Sequence, residues 1–128
     1  MIYLDSSVAL AHLLAEDHSP PADIWRESMI SSRLLEHEVW TRVHARGLTR
    51  SHAEETRALI GRLVLVELDP SVLARALEPF PVHVCTLDAL DLASIEFLRS
   101  RRLAIQLLSY DARLLAPARG LDIPLYEP

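Results

Sequence analysis

Short apolar runs that meet an aspartate and then pass into a helix recur along this chain, and they restrict its fold more than any other feature. Ile2-Tyr3-Leu4-Asp5 reads as a buried strand. Ser6-Ser7 then offers an N-cap, and Val8, Leu10, Ala11, Leu13 and Leu14 continue as a helix. Residues 105–109 read as a second such strand, followed by a helix over 111–118 that Gly120 closes. Asp88 opens a long helix reaching about Arg102, with Leu92, Ile95 and Leu98 on one side; residues 82–87 before it have no firm assignment. Between these blocks, Pro20-Pro21 starts a short helix through Ile24 and Trp25, residues 29–32 form a strand, and 33–46 form a helix with Gly47 at C′. Ser51-His52-Ala53-Glu54 reads as a capping box, 63–68 as a strand, Pro70 as a helix start, and 123–126 as an edge strand that tolerates Pro124. Strands alternating with helices predict an α/β domain built on a mostly parallel sheet. With 128 residues the chain is a single domain, 1–128.

Absences narrow the chemistry. All thirteen basic residues are arginine, so the lysine that a P-loop places on phosphates is missing, as is the lysine of a phosphoacceptor receiver domain. A haloacid-type phosphatase would want an acid at position 7, which is Ser7. Three glycines and no GxGxxG leave no Rossmann-type dinucleotide site. The net charge of −5 speaks against a general nucleic-acid glue, but not against a nuclease whose acidic site meets phosphate through cations. Cys85 has no disulfide partner and reads as a small core residue. With no signal peptide and no apolar run of spanning length, a reducing cytoplasm and no membrane association are expected.

In a parallel sheet the carboxyl ends of the strands share one edge, where ligands bind. Asp5 and Asp111 are therefore expected in one crevice, with Asp88 beside them. Each aspartate alone also reads as a plain N-cap; the coincidence of junctions on one edge favours a site. Clustered carboxylates repel unless a cation intervenes, and oxygen donors suit Mg²⁺ or Mn²⁺. Periodicity does not choose between Glu36 and Glu38, both of which project toward apolar positions. The histidines form no metal site, since His37 and His44 stand about 10 Å apart along their helix and the others are scattered. Ser6 and Ser109 lack a nucleophile's motif and suit hydrogen bonds to the neighbouring acids. Arg99, Arg101 and Arg102 fit a helix C-terminus through the dipole.

The segments IYLDSSVAL, SSRLLEHEVW, TLDALDLASI and LLSYDARLLAPARGLDIPL resemble the PIN-domain ribonucleases, above all the VapC toxins of bacterial toxin–antitoxin pairs. The resemblance runs from Met1 to about Leu125. It carries the family's acids onto Asp5, Glu38, Asp88 and Asp111, and so selects Glu38 over Glu36. It implies a four- or five-stranded, mostly parallel sheet flanked by helices. It also implies an endoribonuclease dependent on one or two Mg²⁺ or Mn²⁺ ions, a homodimer, and silencing by a cognate VapB-type antitoxin. Relatives often carry histidine three residues after the third acid; here Asp91 stands there, either as a fifth carboxylate of the pocket or as a first-turn surface acid. Arg113, near Asp111, is the candidate RNA contact. The competing reading is a catalytically silent module of the same fold that engages a protein partner.

Overall fold

The apolar run at the N-terminus becomes an inner strand of the sheet. In the computed structural model, which describes residues 1–16 and 18–128, β1 (Ile2–Leu4) lies between β2 (Met29–Ser32) and β4 (Gln106–Leu108). The outer strand β3 (Val64–Val66) pairs with β2, giving the order β3-β2-β1-β4 with every pairing parallel. Tyr3 stands in register with Ile30 and Leu107, and Ile2 with Met29. Residues 123–126 add only an isolated bridge, Leu107 to Leu125, flanked by backbone hydrogen bonds of 2.8 Å to Pro124 and from Tyr126. The expected last edge strand is thus a single point of pairing, because Pro124 has no N–H to extend the ladder.

Side-chain alternation along β1 divides the core. Ile2 and Leu4 pack on one face of the sheet with Val8, Leu35, Val39 and Leu59. These come from α1 (Ser6–Leu13), α2 (Leu34–Ala45) and α3 (Ala53–Gly61). Tyr3 and Ile30 face the other way, onto Leu92, Ile95 and Leu114 of α5 (Thr86–Ser100) and α6 (Ala112–Gly120). A strand covered on both faces favours apolar residues on both, which is why β1 reads as an unbroken run rather than an alternating one. The seven-residue α4 (Pro70–Ala76) lies against α5, where Arg75 pairs with Glu96 at 3.0 Å.

Several local expectations are corrected. The N-cap of α1 is Asp5, so Ser6 and Ser7 are already helical. The short helix expected through Ile24 and Trp25 is of the 3₁₀ type, Ala22–Arg26. The capping box at 51–54 does not form: α3 is capped by His52 without a side-chain hydrogen bond, while the Ser51 hydroxyl bonds the Leu48 carbonyl and the His52 ring. The helix assigned to Asp88 starts two residues earlier, with Cys85 at its N-cap. Cys85 is exposed, not a core residue: it stands at the N-cap of α5, ahead of the helix's first buried residue, Ala89. Gly120 lies inside α6, and the left-handed residue that ends the turn is Asp122, at φ 56°. No helix among the described residues is long and apolar enough to cross a membrane.

Candidate functional site

The strand order reverses between β1 and β4, so the chain leaves these two neighbours toward opposite ends of the sheet and opens a crevice at their carboxyl ends. Asp5 follows β1 and Asp111 follows β4, which puts both at that crevice. Glu38 comes from α2, and Asp88 and Asp91 from the first two turns of α5. These five carboxylates, together with that of Glu16, line one cavity of about 570 Å³. Arg42 and Arg113 stand on its rim, together with His18. Glu36 is elsewhere occupied, held by Arg33 at 3.3 Å.

The plain helix-cap reading separates the two junction aspartates. Asp111 does cap α6, accepting from the Arg113 backbone N–H at 2.9 Å, and its carboxylate also lies 3.6 Å from the Arg113 guanidinium. Asp5 occupies the N-cap position of α1 but makes no side-chain cap bond. Its Oδ2 accepts instead from the hydroxyls of Ser7, at 2.6 Å, and Ser109, at 2.7 Å. Ser7 in turn accepts from the Tyr110 N–H at 3.0 Å, and Ser109 from the Asp111 N–H at 2.9 Å. This relay ties the β4 exit to the α1 start and fixes the nearly buried Asp5 carboxylate. Ser6 donates to Glu38 Oε2 at 3.2 Å, the partner that a carboxylate on the apolar side of α2 needs.

Asp91 is buried, so it is not a surface acid. Its Oδ1 accepts from the Tyr3 hydroxyl at 2.6 Å and from Ser32 at 3.5 Å. Tyr3 was visible as part of a strand, but its role was missed. A tyrosine in a fully buried strand needs a partner for its hydroxyl, and that is the signal that identifies it. Ser7 was missed because consecutive serines at a helix start read first as caps.

Burial and mutual repulsion raise the carboxyl pKa values. Glu38 is pushed up to about 7, first by burial and then by the charges of Asp5 and Asp88, against the Ser6 hydrogen bond. Asp88 is raised by burial and by Asp111 and Asp5, with Arg113 opposing. Asp91 lies well above the usual carboxylate range, through burial and the charge of Asp5, despite the Tyr3 hydroxyl. Three carboxyls with raised pKa values around one cavity mean that this negative charge is undercompensated by the protein itself.

A family model for the PIN domain matches residues 2–120. The chain belongs to the PIN domain family. The crystal structure of VapC20 from Mycobacterium tuberculosis, a sarcin-ricin loop cleaving toxin, has a TM-score of 0.69 to this chain at 17% identity. The match covers 91% of this chain and 94% of that one. At that identity the likeness is one of fold. None of the curated proteins matches the chain in sequence. Among the described residues of this PIN domain, no three His, Cys, Asp or Glu side chains stand as a ready-made ligand set. The donor chemistry nevertheless fits a hard divalent cation. All five groups are carboxylates, their charge is unbalanced, and Mg²⁺ keeps several waters and needs only one or two direct carboxylates.

Proposed function

We propose that this PIN domain is a metal-dependent endoribonuclease, the toxin of a VapBC-type pair. The observation that carries the reading is the ring of Asp5, Glu38, Asp88, Asp91 and Asp111 around one cavity at the carboxyl edge of the sheet. The PIN family and the fold shared with a VapC toxin that cleaves the sarcin-ricin loop support it. The resemblance adds a cognate VapB-type antitoxin and a homodimer to the proposal.

Asp5, Glu38, Asp88 and Asp111 would hold one or two Mg²⁺ or Mn²⁺ ions, with Asp91 beneath them. A divalent cation held there supplies water activation near neutral pH and neutralises charge on the phosphate under attack. The chain's own groups do the rest. Ser7 and Ser109 fix the orientation of Asp5, and Ser6 that of Glu38. Tyr3 holds Asp91 from below. Arg113, largely exposed on the rim, offers a cation to the RNA backbone. No protein nucleophile is needed, in keeping with serines already committed to carboxylates.

Asp5→Asn tests the reading. The amide keeps an acceptor oxygen for Ser7 and Ser109 but loses the charge. Cleavage of total RNA in the presence of Mg²⁺ or Mn²⁺ is expected to fall more than about 100-fold. Wild-type cutting by the variant, or no metal-stimulated cutting by the wild type, overturns the assignment in favour of a silent binding module. Mapping RNA ends after brief expression, with the variant as control, identifies the target.

A further inference from the structure

Two smaller hollows open off the acidic cavity and share its walls. One, of about 340 Å³, shares Glu38 and Arg42 and continues along α2 past His37 and Thr41, with Leu10 and Leu87 as apolar walls. The other, of about 380 Å³, shares Asp88 and Arg113 and continues along the start of α6. The three hollows form one trough, with the acids in the middle and an arginine toward each end.

We infer that the hollow against α2 is a subsite for one nucleotide of single-stranded RNA flanking the cleaved phosphodiester, with Arg42 on that nucleotide's phosphate. The inference rests on the ribonuclease reading and adds to it a subsite and the residue that holds its phosphate. Glu38, Thr41 and Arg42 are spaced i, i+3 and i+4, so they share one face of α2, with His37 beside them. Glu38 points that face at the acids, and Arg42 therefore lies one turn, about 6 Å, farther along the helix. A nucleotide needs three things from a protein: a surface for the base, groups for its polar edge, and a cation for its phosphate. Leu87 supplies the first, with 46% of its surface exposed at the start of α5, and only the edge of the largely buried Leu10 backs it. The exposed side chains of His37 and Thr41 supply the second, and the exposed Arg42 the third. The arginine also argues against a cationic peptide as the occupant, which the acids alone would welcome.

The experiment uses the Asp5→Asn protein, so that RNA is bound but not cut, and a fluorescent single-stranded oligoribonucleotide with Mg²⁺. Adding Arg42→Ala is expected to weaken binding about tenfold and to lower the slope of log affinity against log salt by about 0.7. Arg42→Lys should recover part of the affinity, since the charge is kept. Leu87→Ala should weaken binding without changing the salt slope, because it touches the base and not the phosphate. Arg50→Ala, outside the trough, is the control. In the cleaving protein Arg42→Ala should raise KM and leave kcat within about twofold. If the wild type cuts RNA while Arg42→Ala and Leu87→Ala bind as tightly as the parent, the subsite falls and the ribonuclease reading stands. If the wild type neither binds nor cuts RNA, both fall.

Discussion

Tyr3 supplies the one short hydrogen bond to the buried Asp91 carboxylate. It is fully buried in β1 and donates to Asp91 at 2.6 Å. The bond favours the charged carboxylate, but burial and the neighbouring acids outweigh it, so Asp91 still sits well above the ordinary range. Tyr3→Phe keeps the ring's packing and removes the donor, leaving a buried carboxylate with only the longer Ser32 contact. The expected cost is about 1–3 kcal/mol of stability, read from urea unfolding, and it should shrink as pH falls. Glu38 presents the opposite case. Its pKa of about 7 reflects a charge the fold disfavours, so Glu38→Gln should stabilise the metal-free protein at pH 8. About 1–2 kcal/mol is expected once solvent screening of this half-buried group is allowed for. These two variants move stability in opposite directions although both residues belong to one cluster.

Among the elements, α2 carries the most functional information for its length. Its inner face supplies Leu35, Val39 and Val43 to the core, and its neighbouring face supplies Glu38, Thr41 and Arg42 to the trough. How the helix ends matters for that division. Gly47 follows it at φ 69°, a left-handed conformation costly for any residue with a Cβ, though nothing stands within 4 Å of where a Cβ would be. Gly47→Ala should therefore destabilise by about 1 kcal/mol through backbone strain alone, lowering the urea midpoint without altering the slope. The helix ends elsewhere were less legible. Ser51 looked like a cap and bonds backward to Leu48 instead, and Asp88 looked like a cap and lies inside the first turn of α5. Short polar side chains satisfy several backbone patterns equally well, and only the path of the chain selects one.

At the scale of the whole molecule, the acids make stability depend on pH with a definite sign. Glu38, Asp88 and Asp91 all have raised pKa values in the folded state, so the folded chain binds more protons than the unfolded one between the ordinary carboxylate range and about pH 7. Their contribution is fully present below the unfolded values and is lost as pH rises through the folded ones. The metal-free protein should melt several degrees higher at pH 5.5 than at pH 8, by calorimetry in chelator. Adding Mg²⁺ should raise the melting temperature more at pH 8 than at pH 5.5, where Glu38, with its pKa of about 7, holds a proton.

The sequence by itself determined the class of fold, the buried strand at residues 2–4 and the junction placement of Asp5 and Asp111. Those follow from local rules: an apolar run without alternation is a strand buried on both faces, and a following acid falls at its carboxyl end. It could not choose Glu38 over Glu36 by periodicity, since both project toward apolar neighbours; the family resemblance chose Glu38, which lines the acidic cavity, whereas Glu36 pairs locally with Arg33. Tertiary structure alone decided that Asp91 is buried on Tyr3, that Ser109 reaches Asp5 across 104 residues of chain to join Ser7 on the same carboxylate oxygen, and that Cys85 faces outward. Spacing along one helix or strand limits which side chains can be neighbours, but partners on different elements meet only where packing has set the crossing of those elements.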